Sequence, residues 1–152
     1  MAIDVSLIKQ LREETQAGVA DCRAALEEAK GDLKQAKEIL KKKGFERAAK
    51  KGDRATNAGL IESYVHGGRV ASLVEILCET DFVARTDEFK TLAHEVAMQV
   101  DSMNPKDAEE LLKQEYIRDS SKTIEMLLKE TIAKLGENIV LGRITRLELG
   151  RE

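Results

Sequence analysis

Tryptophan is absent from the 152 residues, and only three Phe and two Tyr supply aromatic rings. With so little to stack on bases and a net charge of -3, the chain lacks the makings of a general nucleic-acid binder, which is more often basic. Cysteine is as scarce. Cys22 and Cys78 lie far apart without a CxxC partner, which argues against a disulfide framework and for reduced thiols inside a cell. No stretch approaches the ~20 apolar residues of a membrane span. The opening "MAIDVSLIKQ" has no basic region before an apolar run, so no signal peptide is expected, and a bacterial cytoplasm fits best.

Catalytic vocabulary is missing too. There is no GxxxxGK[ST] phosphate loop and no G-x-S-x-G elbow. His66 and His94 are the only histidines. A Cys78/His94 nucleophile pair sits in no motif and has no marked orienting acid, and Cys78 reads better as a buried strand residue. A Cys22, Cys78, His66, His94 zinc set lacks any closely spaced ligand pair, and the two acids of "CETD" are a weak metal signal. The expectation is no catalytic residue, no metal and no cofactor, which turns attention to binding.

What is present is periodicity. Leu7, Ile8 and Leu11 share one helical face behind an Asp4 or Ser6 cap. After "TQAG" the period resumes in Val19, Cys22, Leu26 and Ala29. After "KGD", with Asp32 as a cap, it resumes in Leu33, Ala36, Ile39 and Leu40, with Gly44 as a plausible stop. "KKKGFERAAKKGDR", Lys41 to Arg54, holds seven bases against two acids and reads as a linker with a solvated face; RNA or partner contact is the alternative. "GLIESYVH" and "RVASLVEILCE" flank Gly67-Gly68 and read as a hairpin on a two-residue turn. The second run is apolar on both faces except at Ser72 and Glu75, so it belongs mid-sheet with helices on one side. Helical stripes follow at Phe89, Leu92, Val96, Val100 and Met103, stopped by "NPKD", and at Ile124, Leu127, Leu128, Ile132 and Leu135, stopped by Gly136. "NIVLGRITRLELG" is a last strand whose Gly142 suggests a bulge or a close backbone approach. The fold class is α+β: a three-helix module with a basic linker over residues 1–52, then a core over 53–152. That core is a three-stranded antiparallel sheet packed with helices.

Between hairpin and helix lies "CETDFVART", with the apolar pair Phe82-Val83 at what should be a polar turn. Periodicity leaves Phe82 open: it either folds back onto its own core or points at a partner. Thr86 or Asp87 caps the helix that follows.

Several stretches together resemble the elongation factor Ts family. "LIKQLREETQAGVADCRAALEEAKGDLKQAKEILKKKG" is similar to its ubiquitin-associated-like N-terminal module, "CETDFVAR" to its signature loop, and "LGENI" to a segment near its end. Leu77 stands where members often carry Asn, and Val19-Ala20 where members often carry two methionines. The resemblance implies a guanine-nucleotide exchange factor without catalytic chemistry of its own, acting on elongation factor Tu in its GDP form. It implies that Asp81 and Phe82 enter the partner beside its magnesium and phosphate site. Thr80 and Val83 would shape that loop, and Asp81 either caps the turn or touches the partner. It further implies that Arg12, Val19, Ala20 and Arg23 grip the partner, although Val19 also fits a core position. His66 would be a hairpin contact or an exposed residue without a role. With room for a single core the chain resembles the short form, which implies a homodimer through that core. A non-exchange adaptor that binds through the N-terminal module is the alternative.

Overall fold

A computed structural model describes residues 2–151. In chain order the elements are α1 (Val5–Thr15), α2 (Val19–Glu28), α3 (Leu33–Lys50), β1 (Ala58–His66), β2 (Val70–Cys78) and α4 (Asp81–Ala84). They continue as α5 (Asp87–Met103), α6 (Ala108–Lys113), β3 (Glu115–Tyr116), β4 (Asp119–Thr123), α7 (Ile124–Leu135) and β5 (Ile139–Glu148). The fold is α+β, as the periodicities predict, with α6 and the small β3–β4 hairpin as additions that they do not foresee.

Carboxylates start α1 and α3. Asp4 accepts from the Ser6 amide at 2.9 Å and Asp32 from the Gln35 amide at 3.0 Å, satisfying donors that a helix start leaves bare. Leu11, Cys22, Leu26 and Ala36 close a first hydrophobic cluster among the three helices.

The expected stop at Gly44 is not there, and α3 runs on through much of the basic stretch read as a linker. The reason is tertiary. Gly44 lies against α7, and the two helices come so close that a Cβ at 44 would stand 3.1 Å from the Ala133 Cβ. One turn on, Ala48 is buried in the second cluster. Helix α3 therefore belongs to both cores, Ala36 in the first and Ala48 in the second.

The main sheet has the order β1-β2-β5, antiparallel throughout, with β2 in the middle as its pattern requires. Ser72, Val74, Ile76 and Cys78 turn one face of β2 inward, where Phe89, Leu92, Val96 and Val100 of α5 join the same cluster. The Ser72 hydroxyl donates to the Ala97 carbonyl at 2.7 Å, so the one polar group on that face is satisfied. The α5 stripe ends at Val100. Met103 is half exposed, in the last turn before Asn104 leaves the helix at φ 46°. The hairpin loop is three residues, not two: His66 pairs with Val70, and Arg69 sits in the turn with its carbonyl accepting from Leu149 at 2.8 Å. Gly67 and Gly68 supply the positive φ that the turn needs, at 58° and 67°. The bulge expected at Gly142 is present. The β2–β5 register shifts at Glu75, whose carboxylate takes the Arg143 amide at 3.2 Å and its guanidinium at 3.0 Å.

The opposite face of the sheet carries no helix among the described residues. Ile61, Val65, Leu73 and Leu147 stand exposed on it.

Candidate partner-binding surface

The last rung between β2 and β5 is Cys78 with Ile139. Beyond it the strands diverge, and side chains continue the ladder. The Glu79 carboxylate accepts from the Asn138 amide at 2.7 Å, and the Glu137 carboxylate accepts from the Thr80 amide at 2.9 Å and the Thr80 hydroxyl at 2.7 Å. Thr80 in turn caps α4, its hydroxyl oxygen accepting from Val83 at 3.4 Å, and Thr86 caps α5 by accepting from Phe89 at 3.2 Å.

This mount divides the apolar pair. Val83 is only 9% exposed and its neighbour Ala84 8%, while Phe82 is 83% exposed. The reading in which Phe82 folds back onto its own core is thereby removed. Asp81 is exposed in the first turn of α4 and is not its cap; Thr80 holds that place. The Cys78 thiol is buried and donates to the Thr80 carbonyl at 3.2 Å. Burial pushes its pKa up and the nearby Glu137 charge adds to that, the opposite of what an activated nucleophile needs.

In the helical module Arg12, Val19, Ala20 and Arg23 are all exposed around the α1–α2 turn. Val19, 51% exposed as the first residue of α2, is not a core residue. Arg23 is paired with Glu27 at 3.0 Å on the surface. Four of the seven bases of Lys41 to Arg54 lie against acids: Arg47 makes two bonds to Asp21 at 3.0 and 2.8 Å, Lys43 reaches Glu28 at 3.3 Å, and Lys41 and Arg54 stand 3.9 and 3.5 Å from Glu130 and Glu79.

His66 lies at the other end of the hairpin from the Phe82 mount. Eight rungs separate them along β1–β2, roughly 26 Å at about 3.3 Å per residue. Its Nδ1 lies 3.0 Å from the Tyr64 hydroxyl, and the Tyr64 ring meets His94 edge-on at 5.7 Å. The structure thus brings Thr80 to Val83 into one turn and leaves His66 apart. Sequence reading missed Glu79, Glu137 and Asn138, although "LGENI" offered the signal of an acid and an amide directly after a helix stop. No group of three or more His, Cys, Asp or Glu among the described residues is placed to hold a metal ion, and none of the described helices is long and apolar enough to cross a membrane.

The fold thus holds, from a segment distant in sequence, a short turn that presents one large apolar side chain to solvent. Comparison with known proteins gives the family. Residues 79–152 match the family described as Elongation factor TS. Over its whole length the chain is similar to proteins named Elongation factor Ts. The one from Coprothermobacter proteolyticus is 45% identical, with 99% of this chain and 100% of the relative aligned. The one from Thermotoga neapolitana is 44% identical with both chains fully covered, and the one from a Thermoanaerobacter species is 43% identical over 97% of this chain and 95% of the relative. The chain belongs to the elongation factor Ts family, and so to the translation elongation factors. The first of these alignments runs over 196 positions against 152 residues here, so at least 44 positions of that relative face a gap.

Proposed function

We propose that this protein is the guanine-nucleotide exchange factor for elongation factor Tu, binding its GDP form in a bacterial cytoplasm and promoting GDP release during translation elongation. The observation that carries this reading is Phe82: 83% exposed on a turn whose next two residues are buried and whose cap is held by Glu137 from the loop before β5. Phe82 enters the partner's nucleotide domain next to Asp81 and disturbs the magnesium and phosphate site. The thermodynamics is linkage, in which exchange factor and GDP weaken each other's binding by the same factor. Burying one Phe gives roughly 1.5–3 kcal/mol, one to two decades of nucleotide affinity at about 1.4 kcal/mol per decade. The remainder comes from a wider contact, with residues 1–52 acting as a gripping module through Arg12, Val19, Ala20 and Arg23, and with His66 as a separate hairpin contact.

Residues 53–152 serve as the dimerisation domain in this reading. The uncovered sheet face supports it: Ile61, Val65, Leu73 and Leu147 are exposed apolar residues on one surface, of the kind that marks an association site. A second copy laid on that face would bury them.

Stopped-flow measurement of fluorescently labelled GDP leaving elongation factor Tu tests the proposal. Acceleration by the wild-type chain is expected, and unchanged release would overturn it in favour of a non-exchange adaptor.

A further inference from the structure

The strand register makes positions 79/138 and 80/137 the next two rungs after Cys78/Ile139, at the point where the backbones separate. Both are filled by carboxylates in a reciprocal exchange. Glu79 holds the backbone of Asn138, and Glu137 holds the backbone of Thr80. Glu137 spends its second oxygen on the Thr80 hydroxyl, which leaves that hydroxyl oriented to accept from Val83 and cap α4. Asn138, 4% exposed, completes the junction with its side chain. Its amide nitrogen donates to the Gly52 carbonyl at 3.3 Å and to the Arg54 carbonyl at 2.9 Å, where the chain leaves α3. The Arg54 guanidinium returns to Glu79 at 3.5 Å.

We infer that Glu137 and Asn138 form a positioning clasp, Glu137 fixing the turn that carries Phe82 and Asn138 fixing the exit of the N-terminal helices to the same point. Neither residue touches the partner; both act through what they hold. A charged carboxylate accepting two short bonds is stronger than a neutral pair, and its reach across 57 residues ties two otherwise separate connections. An apolar wedge delivers its burial energy to a partner only if it arrives oriented, since an unheld turn must be ordered on binding. The clasp does that ordering in advance. This inference rests on the exchange reading, with Phe82 as the acting group.

The test is a double-mutant cycle read by labelled-GDP release from elongation factor Tu, with amide hydrogen exchange of the same variants measured alongside. Glu137→Ala is expected to lower the maximal release rate about tenfold, and Glu137→Gln, which keeps an acceptor and adds a donor, to recover most of it. In a Phe82→Ala background Glu137→Ala should cost nothing further. The Thr80 and Val83 amides should exchange about tenfold faster in Glu137→Ala, with those of β2 unchanged. Wild-type release from Glu137→Ala, or an equal loss in both backgrounds, would overturn the clasp and leave the exchange reading standing. If the wild-type chain does not accelerate release, the exchange reading falls. Protection of the Thr80 and Val83 amides then decides the clasp: unchanged protection in Glu137→Ala overturns it, and lost protection upholds its hold on the turn.

Discussion

Gly44 and Ala133 mark the point where α3 crosses α7, close enough that a methyl group at 44 would press on the Ala133 methyl at 3.1 Å. A glycine inside a helix costs up to about 1 kcal/mol relative to alanine, so this position trades helix propensity for the close approach of α3 to α7.

Gly44→Leu should therefore destabilise the protein by about 1–3 kcal/mol, the usual range for overpacking, because its Cβ alone would already stand 3.1 Å from that of Ala133. Thermal unfolding followed by circular dichroism is the check. A melting temperature equal to wild type would mean that the crossing has room to spare.

Phe82→Ala separates function from folding. At 83% exposure the ring supports little of its own core, so stability should stay within ~0.5 kcal/mol of wild type. GDP release should slow about ten- to a hundredfold if the ring supplies its full burial energy to the partner. A folded variant with unchanged release would take Phe82 out of the mechanism.

Leu73→Glu places a charge in the middle strand of the uncovered sheet face, where the leucine is 46% exposed. The monomer fold should tolerate it, since its side chain points away from α5. Static light scattering at about 10⁻⁵ M should give a dimer mass for wild type and a monomer mass for the variant, because an unpaired charge is costly to bury. A wild-type monomer at that concentration would remove the homodimer.

Acid should loosen the N-terminal module. The two hydrogen bonds from Arg47 hold the Asp21 carboxyl below its ordinary pKa. With the folded pKa depressed, the stabilisation is present in full above the unfolded value near 4 and is lost as pH falls through the folded one. Both side chains are part-exposed and screened by solvent, so the effect is small. Melting temperatures taken between pH 6 and 3 should fall at the acid end (about one to two pH units around the carboxyl range), and less steeply for Asp21→Asn. Parallel curves for the two proteins would dismiss the pair as a contributor.

Local patterns carried much of this structure. The Asp32 cap and the positive-φ glycines of the hairpin are short-range requirements legible in the sequence, which also narrowed two further caps to Asp4 or Ser6 and Thr86 or Asp87, and Gly142 to a bulge or a close approach. The central place of β2 follows as well, because a strand apolar on both faces has nowhere else to lie. Gly44 misled for a complementary reason: its local signature is a helix stop, and only a neighbour from a distant segment makes it a crossing point. Val19 fell on the periodic face, yet it is half exposed at the first position of α2, because periodicity names a face and not how far a neighbouring helix covers it.

By itself, then, the sequence determined the α+β class, the helix and strand periods, and the family resemblance carried by "CETDFVAR". Each of these depends on residues near one another along the chain. Tertiary structure decided that Phe82 points outward, that α3 joins both cores, and that Glu137 holds Thr80. Those depend on strand register and helix crossing, which bring together positions dozens of residues apart, and no local pattern encodes such a meeting.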